Sequence, residues 1–398
     1  MRQDMKGAAI AVGTMLVVQA MVSLSVLSLG VMMPAVAVDL AIDPKLVGVF
    51  TAIIYGVAAT VALSSAGPVL RFGAVRVCQG ALLMAAAGLA VNAAGYVFAT
   101  VIAVVLIGVA QGPVNPASSH ILALRTPREW FSFIFSVKQT GVPLGFALAG
   151  ALLPFLLDMW GWRGATLAAA GGVVLVALLL EILRPGLDAT ADHAAPSPGI
   201  WRWVKFVMAH AQLRVLGLSA LVYVSCQHTF SFFLVTYLYQ HCSMSIAQAG
   251  FLLFLSQIVG TAVRLILGGI GDRVPRIALL GWTGLLMASG AVATALLPPD
   301  APLWLVGLVV VAYGSIAISW NGVSMAEFAH LAPTGQVAAV AGVQIALAFS
   351  GAVIGPPLFG LIASAVSYRA AFLTIAATVL VAALWQLVAS RRRPMVVL

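Results

Sequence analysis

Long apolar runs, separated by short polar segments, make up most of this sequence. An α-helix needs about 20 apolar residues to cross the hydrocarbon core of a membrane, and most of these runs are at least roughly that long. The alternating polar and apolar positions of a membrane β-strand do not occur. The pattern therefore predicts an all-α membrane protein with twelve transmembrane helices. The predicted helices span 8–34, 47–69, 76–94, 97–124, 130–156, 164–183, 213–240, 247–270, 277–297, 302–329, 337–362 and 369–390.

One polar stretch near the midpoint of the chain divides these helices into two sets of six. It is rich in Pro, Gly and Asp, which is typical of a flexible connector. We therefore predict an N-terminal bundle at 1–184, a cytoplasmic linker at 185–212 and a C-terminal bundle at 213–398. Within the linker, Trp and aliphatic residues are mixed with Arg202 and Lys205, which predicts a short amphipathic helix on the membrane surface.

The two halves repeat the same features at a constant spacing. Asn115 matches Asn321 and Gly145 matches Gly351, each pair 206 residues apart. Further matches are Pro127 with Pro333, Trp162-Arg163 with Tyr368-Arg369 and, at a spacing of 202, Gly48 with Gly250 and Arg71 with Arg273. Parallel repeats of this kind predict two pseudo-symmetric six-helix bundles, a layout in which substrate sites lie at the repeat interface.

Composition agrees with lipid as the solvent. Hydrophobic residues make up 62% of the chain and charged residues 8%, with a mean hydropathy of +1.10, whereas soluble domains carry about 25% charged residues. Most of the 20 Lys and Arg residues fall on one side of the predicted membrane, and the other side holds Lys45, Arg163 and Arg369. This bias predicts cytoplasmic termini in a bacterial inner membrane. It also accounts for the net charge of +9 without a nucleic-acid partner.

Motifs for metal, cofactor or nucleotide chemistry are not found. The three cysteines, Cys78, Cys226 and Cys242, are far apart and form no CxxC pair. No Gly-x-x-x-x-Gly-Lys-Ser/Thr, His-Glu-x-x-His or Gly-x-Ser-x-Gly sequence occurs. We therefore expect no metal, no cofactor, no ATP-driven pumping and no enzymatic activity. A non-transporting membrane sensor, or an intramembrane enzyme, is the alternative from another class.

The segment 268–276 reads Gly-Gly-Ile-Gly-Asp-Arg-Val-Pro-Arg and resembles the Gly-x-x-x-Asp-Arg-x-x-Arg signature of the major facilitator superfamily. The first-half copy at 67–76 keeps its Gly and Arg residues but lacks the Asp, which leaves the first-half charge latch without its usual acid. The small residues from Gly141 to Gly150 are similar to the superfamily's helix-5 packing motif. The resemblance covers essentially the whole chain and implies a secondary transporter with an inner gating network. That network would comprise Asp272, Arg273, Arg276, Glu327, Arg71 and Arg76.

Two basic residues, Lys138 and Arg264, fall inside predicted helices, where charge is expensive. Arg264 resembles the Arg of monocarboxylate and oxalate carriers that contacts the substrate carboxylate, and a guanidinium binds a carboxylate as a bidentate fork. Lys138 shares a small-residue face with Gly141 and Gly145. Two cations that enter one cavity repel each other, and an anion between them relieves the repulsion. The alternatives are an inner loop network for Arg264 and snorkelling to the inner interface for Lys138.

Two titratable groups are candidates for carrying a coupled proton. His228 lies near the middle of the seventh predicted helix and titrates near neutral pH, although such a residue is often a helix-packing group. Glu327 lies near the inner end of the tenth, where sugar porters and other superfamily members carry a similar acid. The resemblance implies a latch with Arg273 or Arg276, and proton coupling is the alternative for Glu327.

Uncharged polar side chains complete the predicted substrate pathway. They are Gln19, Tyr55, Asn115, Gln139, Gln257, Asn321 and Gln344, and their alternative role is hydrogen bonding between packed helices. The leading hypothesis is a monomeric secondary carrier that moves a small organic anion, a carboxylate, together with protons by alternating access. The alternative is proton-coupled efflux of drugs or other hydrophobic compounds. The acids of the first helix, Asp4 and Asp39, are terminal, which argues against efflux of cations.

Overall fold

The computed structural model describes residues 2–125, 134, 137–188, 200–271, 273–333 and 337–391, and nearly all of them are α-helical. The helices are α1 (Arg2–Leu40), α2 (Val47–Ser64), α3 (Ala66–Phe72), α4 (Ala74–Asn92), α5 (Val97–Arg125), α6 (Gly141–Leu187), α7 (Ile200–Ala209), α8 (Ala211–His241), α9 (Ile246–Gly271), α10 (Arg276–Ala295), α11 (Leu303–Ala317), α12 (Asn321–Leu331), α13 (Val337–Ala365) and α14 (Tyr368–Arg391). The predicted all-α architecture is confirmed.

Eleven helical segments in the described part are long and apolar enough to cross a membrane, so the chain is a multi-pass membrane protein. One of them, Val137–Leu187, is 51 residues long, more than twice the roughly 20 residues that one crossing requires. Gly161 interrupts this segment with φ 66° and ψ 173°, a backbone conformation that favours glycine. This break lies in the predicted gap between residues 156 and 164. The predicted start of that helix at residue 130 lies outside the described residues.

The helix predicted at 302–329 is two helices, α11 and α12, separated by Ile318, Ser319 and Trp320. At Ile318 the backbone leaves the regular helix, with φ −99° and ψ −4°. The Ser319 hydroxyl donates to the Ile316 carbonyl at 2.9 Å, a local bond that competes with continuation of the helix. The break releases the Ile318 carbonyl, which can then accept hydrogen bonds from another helix.

The repeat-related glycines make equivalent helix contacts. Gly145 of α6 lies so close to α1 that a methyl group on it would overlap the Ala20 carbonyl oxygen. Gly351 of α13 lies equally close to α8, and a methyl group there would overlap the Leu221 carbonyl oxygen. Small residues at helix crossings allow this close backbone approach within a membrane. The sequence repeat therefore corresponds to a repeated packing contact.

The described residues divide into two compact units, which comprise Met1–Ala195 with Leu234–Phe254 and Pro196–Phe233 with Leu255–Leu398. In the first unit α1 packs against α5 and α6, and α4 packs against the same two helices. In the second unit α10 packs against α11 and α14, and α13 packs against α7, α12 and α14. The predicted bundles at 1–184 and 213–398 and the linker at 185–212 stay predictions.

Candidate functional site

Lys138 is buried in the first unit, with 2% of its surface exposed. It lies just before the start of α6, and its Nζ donates to Asn115 Oδ1 on α5 at 2.5 Å and to Gln139 Oε1 at 3.3 Å. Among the described residues, no carboxylate forms an ion pair with it. Neutral amide oxygens compensate a buried ammonium incompletely, because taking the charge out of water costs several kcal/mol. The environment of Nζ, with neutral oxygens as its hydrogen-bond acceptors, therefore favours a negatively charged ligand.

Two glutamine oxygens of the first unit are buried without a hydrogen-bond partner among the described residues. Gln19 of α1 packs against Gly141, one turn from Lys138. Gln111 of α5 precedes Asn115 by one turn, so the two side chains share a helix face. Sequence reasoning missed Gln111, although its four-residue spacing from Asn115 could have revealed it. Buried acceptors of this kind require an explanation, such as a bound donor.

Arg264 of α9, in the second unit, directs its guanidinium at the break between α11 and α12. Its Nε and Nη2 both donate to the Ile318 carbonyl oxygen, at 3.2 Å and 2.5 Å. That oxygen accepts them because the helix ends at this residue. The bond holds the guanidinium in one orientation, and the same donor fork matches a carboxylate.

Three amide side chains that the sequence assigned to the pathway bond to other polar groups of the second unit. The bonds are Asn321 Nδ2 to Gln227 Oε1 at 3.1 Å, Gln257 Nε2 to Ser231 Oγ at 3.5 Å and Gln344 Nε2 to Ser324 Oγ at 2.9 Å. The Gln344 Oε1 atom is buried and has no partner among the described residues. Tyr55, in the first unit, is buried with 4% of its surface exposed. These bonds fit helix packing as well as a pathway, so the substrate role stays a prediction.

His228 of α8 is bonded within its own helix. Its Nδ1 lies 3.1 Å from the Val224 carbonyl oxygen, and its ring stacks on Phe232 with 6.1 Å between the ring centroids. This is the packing arrangement that the sequence offered as the alternative to proton transfer. The coupling role of His228 stays a prediction.

An open pocket of about 390 Å³ in the second unit is lined by Arg273, Arg276, Glu327 and His330 among other residues. Arg276 Nη1 lies 3.4 Å from Glu327 Oε2, and the two side chains are 25% and 13% exposed. The geometry thus joins two members of the predicted gating network. Arg273 is exposed, and Asp272 lies outside the described residues.

In the first unit, an acid at the end of α6 binds the loop at 67–76, which is the first-half copy of the signature segment 268–276. Asp188, directly after α6, accepts hydrogen bonds from the backbone N–H groups of Val75 and Arg76 at 2.9 Å and 3.1 Å. These groups open α4, which follows Gly73 with φ 89°. A methyl group on Gly73 would overlap the Asp188 carboxylate. Asp188 therefore caps α4 at the loop whose sequence lacks the signature Asp.

A second acid, Glu181 of α6, forms ion pairs with two arginines near the same loop. Arg76 Nη1 lies 3.0 Å from one Glu181 oxygen, and Arg184 Nη2 lies 2.8 Å from the other. Arg71 is exposed and lies over the Phe72 ring at 5.3 Å. Sequence reasoning placed Arg71 and Arg76 in the gating network but missed Asp188 and Glu181, which lie more than a hundred positions away along the chain.

Replacing Asp188 with Ala is expected to lower the free energy of unfolding by about 1 kcal/mol, because loss of an N-cap acceptor typically costs that much. The apparent melting temperature of the purified protein measures the change. The matched control is Asp158→Ala, since Asp158 is exposed and bonds to no described side chain. An unchanged melting temperature in Asp188→Ala would show that the carboxylate does not stabilise α4.

The described polar residues thus include Lys138 in the first unit and Arg264 in the second, each on a candidate membrane span, together with ion pairs at helix ends. No group of three or more His, Cys, Asp or Glu side chains that could hold a metal ion occurs in the described ranges. Either cation has the chemistry to bind and orient an anion.

Sequence comparisons with known proteins agree on one protein family. A model of the Major Facilitator Superfamily matches residues 15–349. An uncharacterized MFS-type transporter of Mycobacterium tuberculosis is 26% identical over 315 residues, which cover 73% of this chain and 66% of that protein. Monocarboxylate transporter 13 of Rattus norvegicus is 26% identical over 254 residues, which cover 63% of this chain and 57% of that protein. The chain spans less than two thirds of the length of these curated relatives.

Solved structures share the fold at low sequence identity. A bacterial homolog of the human lysosomal transporter Spinster, inward-facing and unoccupied, matches with a TM-score of 0.81 and 15% identity over 97% of both chains. A mutant of the nucleoside transporter NupG matches with a TM-score of 0.79 and 16% identity, over 97% of this chain and 100% of that one.

Proposed function

Because the chain belongs to the major facilitator superfamily, and is a transporter rather than an enzyme, we propose that it moves a small organic anion by alternating access. The observation that carries this proposal is the buried Lys138 ammonium, which bonds to the neutral oxygens of Asn115 and Gln139. An anionic substrate offsets the cost of burying that charge, whereas a cationic substrate increases it. The sign of the substrate charge follows from this difference.

The Arg264 guanidinium supports a carboxylate as the anionic group. A carboxylate accepts two parallel N–H bonds from one guanidinium, which adds orientation to charge attraction. The Ile318 carbonyl oxygen accepts two N–H bonds from this fork. We propose that the substrate carboxylate takes over these donors. The name of the rat relative, a monocarboxylate transporter, supports the same substrate class.

We propose that the driving force is a proton gradient, since the sequence lacks a nucleotide-binding motif. His228 and Glu327 are the candidate proton carriers. Glu327 pairs with Arg276 at 3.4 Å, so its primary role is in the latch. His228 is then the first of the two to test.

We further propose twelve membrane spans with both termini on the cytoplasmic side of a bacterial inner membrane. The length of Val137–Leu187 and its interruption at Gly161 support two crossings by this segment. The strong bias of Lys and Arg toward one side supports the orientation. The protein is proposed to act as a monomer.

A thermal-shift screen of the purified protein tests the substrate class. Small carboxylates are expected to raise the apparent melting temperature, since ligands that bind the native state stabilise it by mass action. The primary amide of each carboxylate is the matched control and should give no shift. Repeating the screen at two pH values tests for the coupled proton.

A positive result is then checked by uptake of the same carboxylate into proteoliposomes with an imposed pH gradient. If the carboxylates give no shift while hydrophobic compounds do, the efflux alternative replaces the proposal. If the protein neither binds nor transports either class of compound, the result supports the alternative of a non-transporting membrane sensor or an intramembrane enzyme.

A further inference from the structure

The short helix α7 is amphipathic and firmly attached to the second unit. Trp203 and Val207 form its buried side, with exposures of 7% and 0%, and the helix packs against α13. At its end, Arg214 Nη1 of α8 donates to the Met208 carbonyl oxygen at 3.0 Å. The bond fixes α7 relative to the spanning helix that follows it. The amphipathic helix expected in the linker is thus packed against α13 and bonded to α8.

The opposite side of α7 presents Trp201 and Lys205, and Arg202 lies at its edge with its guanidinium 5.8 Å from the centroid of the Trp203 ring. Trp201 is 74% exposed, and Arg202 and Lys205 are exposed as well. Positions 201 and 205 are four residues apart, so they lie on one face, with Arg202 at its edge. Among the described residues neither cation forms an ion pair. Transport as proposed above gives these three side chains no role.

The position of α7 along the chain places it next to one membrane surface. It ends at Ala209, and the spanning segment Ala211–His241 begins two residues later. A tryptophan at that depth lies among lipid headgroups, where its ring is partly apolar and its N–H is polar. Basic residues at the same level attract negatively charged headgroups and not zwitterionic ones.

We propose that Trp201, Arg202 and Lys205 form a docking surface for the phosphate groups of anionic phospholipids. The ring inserts at the headgroup level, and the two cations next to it bind phosphate oxygens. Because α7 packs against α13 and is bonded to α8, a bound lipid stabilises the second unit. This inference is independent of the transported substrate.

Detergent-solubilised protein tests the proposal with phosphatidylglycerol as the probe and phosphatidylcholine as the neutral lipid. Phosphatidylglycerol is expected to raise the apparent melting temperature by several degrees more than phosphatidylcholine does. The double variant Arg202→Gln/Lys205→Gln should lose at least half of this difference. The single variant Lys205→Gln is compared with Arg391→Gln, which removes one exposed cation at the end of α14. Arg391→Gln should keep the full difference between the shifts caused by the two lipids.

A second measurement locates the lipid. Phosphatidylglycerol brominated near the headgroup end of its acyl chains should quench tryptophan fluorescence more in the wild type than in Trp201→Phe. The proposal is overturned if the double variant keeps the full lipid effect, or if Trp201→Phe is quenched as strongly as the wild type. It is also overturned if soluble glycerol phosphate gives the same thermal shift, since the surface would then bind a free anion.

Discussion

Arg264→Gln is expected to reduce carboxylate uptake by about a hundredfold in proteoliposomes. Losing one buried guanidinium–carboxylate interaction typically costs about 3 kcal/mol, and each 1.4 kcal/mol corresponds to about tenfold. Arg264→Lys should restore little of the uptake, because a lysine offers a point charge and not a planar fork. Both variants remove the guanidinium that donates two N–H bonds to the Ile318 carbonyl.

The control for this experiment separates substrate binding from support of the helix break. Arg369→Gln removes an exposed arginine at the start of α14 and should leave uptake unchanged. If Arg264→Gln lowers the melting temperature but keeps the full thermal shift by carboxylates, the arginine supports the helix break and does not contact substrate. Wild-type uptake in Arg264→Gln would contradict the assignment outright.

Lys138→Gln is expected to change stability and uptake in opposite directions. Without substrate the variant should be more stable than the wild type by about 1–3 kcal/mol, since it removes an incompletely compensated buried charge. Uptake should nevertheless fall by about a hundredfold, because the attraction for the anion is lost. The apparent melting temperature and the uptake rate measure the two effects.

The opposite signs distinguish a ligand-binding lysine from a structural one. If Lys138 served only to join α5 and α6 through Asn115, its replacement would lower both stability and uptake. Lys45→Gln, at a lysine outside the α-helices, controls for loss of positive charge. A destabilised Lys138→Gln protein that still transports carboxylates at the wild-type rate would remove the basis of the anion proposal.

Local sequence predicted the spanning helices because apolar length is a property of each segment by itself. The repeat spacing also singled out Gly145 and Gly351, which make equivalent contacts with α1 and α8. The interruption at Ile318 was not predicted, because it depends on a hydrogen bond from Ser319 and on neighbours from other helices. Apolar bulk alone cannot reveal such a break.

The residue types of the candidate site could be predicted from the sequence, but the hydrogen bonds that these residues form could not. The cost of charge in a membrane identified Lys138 and Arg264. That Lys138 bonds to Asn115, and Arg264 to a main-chain carbonyl, depends on how distant helices pack. The role of Asp188 was missed for the same reason, since the amides that it caps lie 113 and 112 positions earlier.

The contact of Gly145 with α1 also constrains how the protein is made. At roughly 5–20 residues per second, about 6 to 25 s of synthesis separate Ala20 from Gly145. During that interval Gln19 and Ser23, the polar side chains of α1 that contact glycines of α6, lie in the bilayer without their final neighbour. The equivalent crossing of Gly351 with Leu221 imposes a similar delay on α8. A nascent chain that contains α1 but not yet α6 is therefore an intermediate that membrane chaperones and proteases would encounter.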